Sequence, residues 1–373
     1  MSECVCDDFA KDYEEYFQES DISYLIDHKV HLSYKDILLV PYDYAPSEIM
    51  SRSDPDISSD LGRGVRLKNP IISSPMDTVT GVEMAVAMNQ AGGLGIYTRH
   101  IADPREEEQQ CIAVARIREL VGNGNVACAM GVKCDVKSRA EKLISNGANI
   151  ICLDIANGNH VMMIEAIKKV RSLQDKHDIC IVAGNVATPK AALRLAEAGA
   201  NAIKIGIGSG AACLTRRVTG FGVPQLTAII NCAEVLKPRG IKIIADGGIR
   251  NSGDAVKAFW GGADAIMMGY ALAGHTECPQ VSEVAPGEAA IPRRTYRGMA
   301  SRNVSGRYDV AAEGVCLSVQ ERGPVQSTIT EYVAGIKSAC SYANAMNLEE
   351  LRNNVHAIRV STMSQEESDP VGG

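Results

Sequence analysis

The segment from Gly206 to Arg217, GIGSGAACLTRR, concentrates the chemistry of this chain. Gly206, Gly208 and Gly210 fall within five residues, so no side chains cover the backbone carbonyls and amides there. Cys213 follows, on a loop rather than in a strand interior. A loop thiol can act as a nucleophile where neighbouring groups lower its pKa. The bland alternative is a small buried hydrophobe, which is the expectation for the other eleven cysteines. The uncovered carbonyls can also hold a monovalent cation. Thr215, two residues on, can share a proton with a carboxylate, although a threonine near a cysteine means little alone.

A second group could hold an anion. Asp246-Gly247-Gly248 and Gly269-Tyr270 each follow an apolar run. Glycines let backbone N–H groups approach a phosphate, and a neighbouring aspartate can accept hydrogen bonds from ribose hydroxyls. Either pair alone reads as a turn between strand and helix; both with the Cys213 loop favour a phosphate. Other run ends carry Met76-Asp77-Thr78-Val79, then Asp154 with Ala156, Asn157 and Gly158, then Gly184-Asn185. Further on stand Arg307, Tyr308 and Glu313, charged loop residues that are usually just solvated and gain weight only from proximity to a site.

These residues need a scaffold that brings run ends together. Eight short apolar runs recur: Pro70–Ser74, Leu94–Tyr97, Val126–Met130, Asn149–Asp154, Ile179–Ala183, Ala202–Ile207, Ile241–Asp246 and Asp264–Met268. Continuous apolar runs of this length fit strands buried on both faces. Helix-like stretches lie between them, such as Arg105–Leu120, Lys137–Asn146, Met162–Gln174, Lys190–Ala198 and Gly253–Trp260. The alternation predicts an α/β fold, a (β/α)8 TIM barrel, whose catalytic groups sit in loops at the C-terminal strand ends. A doubly wound open sheet would need a GxGxxG fingerprint after its first strand, and none follows Pro70–Ser74. Residues 1–30 read as an acidic leader, 31–360 as the catalytic domain with a long loop or flap at about 287–323, and 361–373 as a disordered tail.

Composition narrows the partners. The net charge is −7 and aromatics make up 5% of the 373 residues, which argues against a nucleic-acid partner. No apolar run is long enough to cross a bilayer, and the acidic N-terminus lacks a signal-peptide core. Twelve cysteines with no zinc spacing read as reduced thiols of a cytoplasmic protein.

Eight segments together resemble the IMP dehydrogenase/GMP reductase family over roughly residues 30–360. They are LSYKDILLVP, SSPMDTVT, CLDIANG, VAGNVAT, GIGSGAACLTRRVTGFGVPQ, ADGGIRNSGD, YRGM and AAEGV, in this order. The resemblance implies a (β/α)8 barrel assembled as a homotetramer, a purine 5′-monophosphate ligand (GMP or IMP) and a nicotinamide dinucleotide. It implies that Cys213 attacks C2 of the purine, with Thr215 and Glu313 passing a proton. By the same resemblance Asp246 holds the ribose, and Gly247, Gly248, Gly269 and Tyr270 hold the phosphate. Gly298 and Met299 line the base, Met76 packs against it, and Asn185, Arg307 and Tyr308 complete the substrate site. Arg99, Asp154, Ile155, Ala156, Ile207 and Gly208 meet the dinucleotide. The carbonyls of Gly208, Gly210, Cys213 and Arg216 coordinate K+. Only a short link separates Tyr97 from Arg105, so the CBS modules that many members insert there are absent.

Cys-x-Thr-Arg before TGFGVPQLTAI, CLDIANG, Gly274–Cys278 and the short interval from Gly298 to Glu313 resemble the reductase branch. SSPMDTVT, ADGGIRNSGD and Arg307-Tyr308 resemble the dehydrogenase branch. Ala211 departs from the family, where a serine commonly helps hold phosphate. The expected activity is NADPH-dependent reductive deamination of GMP to IMP and ammonia; the alternative is NAD-dependent oxidation of IMP to XMP. A nucleotide-binding protein without turnover would not need Cys213, Thr215 and Glu313. A barrel aldolase or isomerase would need a reactive lysine or glutamate at a strand end. Lys204 is the candidate, but its alternation with apolar residues reads as structural.

Overall fold

Each of the eight apolar runs becomes a parallel strand of one closed barrel. The strands are β1 (Ile71–Ser73), β2 (Leu94–Tyr97), β3 (Ala127–Met130), β4 (Ile150–Asp154), β5 (Cys180–Val186), β6 (Ala202–Ile205), β7 (Lys242–Asp246) and β8 (Ala265–Met268). Closure is made by β8 against β1, with Ile266 opposite Ile71. The computed structural model describes residues 31–101, 105–279, 293–301, 309, 311–361 and 364.

The strands are apolar throughout because both faces are covered. One alternating set, including Ile72, Ile96, Ala129, Cys152, Val182, Ala202, Ile244 and Met267, fills the barrel interior. Leu61, Val65 and Leu67 join that interior from a small hairpin, Ser59–Asp60 paired with Arg66–Leu67. The other set, including Ile71, Cys128, Ile151, Ile181, Ile203 and Ile243, packs under the helices.

Those helices are α1 (Val82–Gln90), α2 (Glu106–Val121), α3 (Val136–Ser145), α4 (Val161–Arg171), α5 (Pro189–Ala198), α6 (Gln225–Leu236), α7 (Ser252–Trp260) and α8 (Val325–Tyr342). Local signals fix their ends. Asp135 and Asn251 accept from Ser138 and Asp254 N–H at the starts of α3 and α7, and α5 begins on Pro189 and stops at left-handed Gly199. Where the chain leaves the barrel, Ala357–Arg359 pairs antiparallel with Ile37–Leu39 and ties the two ends of the domain together.

Two expectations need correction. The stretch 287–323 is not a loop throughout, because Arg293–Arg297 and Cys316–Gln320 pair as a five-register antiparallel ribbon beyond β8. Tyr296 and Val319 are its buried residues, and polar side chains dominate the rest, so no apolar run announces the strands. Residues 287–292, 302–308 and 310 of that stretch lie outside the described residues, as do the leader 1–30 and, apart from Ser361 and Ser364, the tail.

The other cysteines are not uniformly buried either. Cys128, Cys152, Cys180, Cys232, Cys278 and Cys340 are, but Cys111 and Cys134 are half-buried and Cys316 is exposed on the ribbon. Cys4 and Cys6 fall outside the described residues. Burial pushes the thiols of Cys152, Cys180 and Cys232 up to about 12, so they stay protonated at neutral pH. Among the described residues, no helix is long and apolar enough to cross a membrane.

Helix α1 docks on β2 at backbone contact. A Cβ on Gly95 would stand 2.5 Å from Cα of Ala85. Gly95→Ala should therefore cost about 1–3 kcal/mol by overpacking, read as a lower urea midpoint at unchanged slope. A variant as stable as the native chain would contradict this packing.

Candidate active site

The strand alternation that fills the barrel with apolar residues places Asp154, Lys204 and Asp246 above them at the C-terminal ends. A lysine stem fits there because β5 supplies Gly184, where a Cβ would stand 2.6 Å from Cβ of Lys204. Lys204 is 2% exposed. Its ammonium pairs with Asp154 Oδ1 and, at 3.3 Å, with Asp246 Oδ2. Asn185 Nδ2 also donates to Asp246 Oδ2 at 2.9 Å, and to the Gly206 carbonyl at 2.9 Å. Asp246 Oδ1 is left without a partner among the described residues.

Burial opposes the Lys204 charge, but Asp154 and Asp246 outweigh it and hold the ammonium well above its usual range. Burial likewise opposes the Asp154 charge, and Lys204 outweighs it, so this carboxyl is held below its usual range. The reading of Lys204 as merely structural is therefore incomplete: it is a charged member of the site.

The loops after β6 and β7 meet beside this cluster. Gly247 adopts a φ of 102°, and a Cβ there would lie 2.4 Å from Ser209 Oγ and 3.2 Å from Gly210 N. Ser209 Oγ donates to the Asp246 carbonyl at 3.1 Å. The backbone N–H groups of Ser209, Gly210, Gly247 and Gly248 have no acceptor among the described residues. Unpaired N–H groups on adjoining glycine turns can make a nest for an anion. Next to it, Met76 Sδ and Tyr296 Oη both lie about 3 Å from where a Gly269 Cβ would stand. The Tyr270 and Tyr296 rings meet edge to face at 5.5 Å.

Cys213 sits half-buried on the β6 loop. Its Sγ donates to Thr215 Oγ1 at 3.2 Å, and Thr215 Oγ1 donates to Glu313 Oε2 at 2.8 Å. Glu313 is about a hundred residues away in sequence, yet backbone bonds fix it. Leu214 N–H donates to the Glu313 carbonyl at 2.7 Å, Val315 N–H donates to the Ala212 carbonyl at 3.0 Å, and Cys213 forms an antiparallel bridge with Gly314. Gly298 N–H in turn donates to the Val315 carbonyl at 3.0 Å, which carries the half-buried Met299 to the same edge. Arg297 completes the attachment, with Nε donating to Asp77 Oδ2 at 2.9 Å.

Of the four carbonyls expected at a cation, Gly210 accepts Cys213 N–H at 3.0 Å and Arg216 accepts Gly220 N–H at 3.2 Å. Those of Gly208 and Cys213 accept no hydrogen bond among the described residues. Each carbonyl has two lone pairs, so all four can still accept a further partner such as a monovalent cation. The Arg216 guanidinium donates to the Val223 carbonyl at 2.6 Å and braces the loop.

On the opposite side, Ile155 N–H donates to the Gly184 carbonyl at 3.0 Å, which extends the ladder and leaves Ala156 exposed. Arg99 and His100 face Asp154 from the loop after β2. Among the described residues, the guanidinium Nε of Arg99 and Nε2 of His100 are buried without a partner, which suits a polar ligand on this side. Burial, then the Arg99 charge, lowers the pKa of His100. Ile207 and Gly208 line the start of the cysteine loop, half-buried. Arg307 and Tyr308 lie outside the described residues.

A family model described as IMP dehydrogenase / GMP reductase domain matches residues 31–371. The chain belongs to the IMP dehydrogenase/GMP reductase family. A GMP reductase from Enterobacter sp. (strain 638) is 35% identical, covering 90% of this chain and 96% of that protein. An inosine-5′-monophosphate dehydrogenase from Cryptosporidium parvum is 33% identical, covering 90% and 94%. The fold is similar to that of a GMP reductase from Trypanosoma brucei in complex with guanosine 5′-monophosphate. There the TM-score is 0.81 at 27% identity, covering 92% of this chain and 98% of that one. Both branches of the family thus have relatives at similar identity, and the family domain lies on the barrel without an inserted CBS region.

Sequence reasoning missed three residues of this family site. Ser209 and Tyr296 stood inside quoted motifs without being singled out, and Lys204 was set aside.

The charge cluster has a pH signature. The depressed Asp154 contributes stability that is fully present above its unfolded value near ~3.9 and is lost as pH falls through its lower folded value. The raised Lys204 contributes below ~10.4 and loses its contribution as pH rises through its higher folded value. The urea-unfolding deficit of Asp154→Asn should therefore be level through neutral pH and shrink below about pH 4. A deficit unchanged into strong acid would contradict the pairing.

Proposed function

We propose that this chain catalyses the reductive deamination of GMP to IMP with NADPH as electron donor, releasing ammonia. The observation that carries the reading is the continuous Cys213–Thr215–Glu313 hydrogen-bond chain beside an unpaired N–H nest. The balance is GMP + NADPH + H+ giving IMP + NADP+ + NH3.

In this reading the phosphate takes the N–H groups of Gly247, Gly248, Ser209 and Gly210, with Gly269 and Tyr270 beside it. The ribose hydroxyls bond the free oxygen of Asp246. Met76, Gly298, Met299 and Asn185 surround the base. Cys213, as thiolate, adds to C2. Its proton has a path through Thr215 to Glu313, and the same path can return a proton to the departing amine, since ammonia leaves far more readily than amide ion. Loss of ammonia gives a thioimidate at Cys213, which splits one hard displacement into two easier steps. A bound dinucleotide supplies the hydride that C2 requires before Cys213 leaves. Arg99, Asp154, Ile155, Ala156, Ile207 and Gly208 are the residues this reading assigns to that group, and the orphaned Arg99 Nε supports it. K+ at the carbonyls of Gly208, Gly210, Cys213 and Arg216 would stiffen the cysteine loop. The reading places the protein in the cytoplasm as a homotetramer.

The second reading is NAD-dependent oxidation of IMP to XMP, favoured by the Arg307-Tyr308 pair and by the dehydrogenase relatives. In it those two residues would activate water against the same thioimidate. GMP with NADPH should consume reduced nicotinamide absorbance. If IMP with NAD+ instead generates it and GMP with NADPH stays flat, the reductase assignment is wrong.

Cys213→Ala should abolish turnover. Glu313→Gln should lower kcat by about 10²- to 10⁴-fold while leaving the GMP Kd within about threefold, by single-turnover kinetics and calorimetry. Lost GMP binding with an intact chemical step would contradict the role given to Glu313.

A further inference from the structure

Lys204 is a buried cation to which the mechanism above gives no task. Its ammonium joins Asp154, on the dinucleotide side, to Asp246, on the ribose side. Those contacts bring the two carboxylates within about 6 Å of each other, a range at which like charges strongly oppose one another's ionisation. We propose that Lys204 is a positioning residue for the nucleotide: it holds the Asp154 and Asp246 carboxyl groups side by side, fixes one oxygen of Asp246, and keeps the other available to the ribose. The proposal rests on the reading that a purine nucleotide binds here.

The surroundings leave this task to Lys204. Asp246 Oδ2 takes Lys204 and the neutral Asn185, and no other cation pairs with Asp246 among the described residues. Arg99 and His100 face Asp154 from the loop after β2, and Cys152 of β4 faces Lys204. Tyr34 and Tyr296 stand near Asp246, and burial raises both phenols, so neither adds charge near neutral pH. The lysine is enclosed at 2% exposure, and Gly184 clears the volume its stem fills. Enclosure is costly for a charge and is sustained here by two partners rather than one.

Without the ammonium, the two carboxylates become a pair of like charges that takes up a proton more readily than the native site does. Covering that pair with an anionic nucleotide further disfavours the doubly ionised form, so binding takes up a proton wherever the free site has lost it. The GMP Kd then climbs with pH, by up to about tenfold per unit. In the native site the ammonium stands between the two carboxylates and relieves this conflict.

The test is GMP affinity by calorimetry from about pH 6.5 to about 8.5, with native chain, Lys204→Met, and the double variant Lys204→Met with Asp154→Asn. The phosphate and base of GMP titrate identically in all three, so differences report the protein. The native profile sets the reference. Lys204→Met should bind more weakly and steepen with pH. The double variant keeps the packing change but removes the charge conflict, so its profile should return to the native slope. If Lys204→Met does not fold, a folded double variant with the native slope supports the same role. A native slope in Lys204→Met, or a double variant as steep as the single one or equally unfolded, would overturn the proposal and assign Lys204 to packing. A native chain that binds no GMP would overturn the functional reading and this role together. Native binding with unresponsive variants would overturn this role alone.

Discussion

The cysteine loop of this protein is made of residues that cannot hold a shape by themselves, and a short backbone zipper supplies that shape. GIGSGAAC has three glycines, and glycine is the residue whose backbone loses most freedom on ordering. Ala212, Cys213 and Leu214 are held by pairing with Glu313, Gly314 and Val315. The same pairing delivers the Glu313 carboxylate to Thr215, and Thr215 to Cys213. Position of the loop and delivery of the Glu313 carboxylate to Thr215 are thus one constraint. The ribbon Arg293–Arg297 with Cys316–Gln320 anchors both ends of the segment that carries Glu313, and the Arg297–Asp77 pair fastens it to the loop after β1.

Beneath the loop the barrel changes character within one side-chain layer. Lower inward positions are apolar and need only fill space. The next layer carries Lys204 with Asp154 and Asp246, and the one ammonium pairs with both carboxylates. A rigid closed sheet makes this possible, since registers fixed by ladder bonds keep the three groups from drifting apart and taking up water. The glycine turns above add N–H groups without partners. The top of the barrel therefore offers paired fixed charges, unpaired N–H donors and the Cys213 thiol, which are complementary to a phosphorylated nucleoside.

The barrel was legible because strands covered on both faces must be apolar throughout, and eight such runs lie at regular spacing. The cysteine loop, DGG and Gly269-Tyr270 were legible because each strand end departs from its apolar run. The ribbon was not, since its strands alternate around mainly polar residues with no continuous run. Lys204 was misjudged for a related reason. Period-two alternation places it on the same face as Ala202, but sequence cannot say that the partner strand offers Gly184 to make room or that aspartates at the ends of the nearby strands β4 and β7 reach its ammonium. Glu313 could be suspected only from family resemblance, because a loop glutamate has no local signal, and its contact with Thr215 exists only in three dimensions.

The account depends on the sulfur of Cys213 lying against the carbon it is said to attack. A crystal structure with GMP bound measures this directly. It should place the phosphate in the nest at Gly247 and Gly248, a ribose hydroxyl on Asp246 Oδ1, and purine C2 within roughly 3–3.5 Å of Cys213 Sγ. A nucleotide seated with its phosphate elsewhere, or with C2 far beyond contact while Cys213 stays bonded to Thr215, would contradict the account.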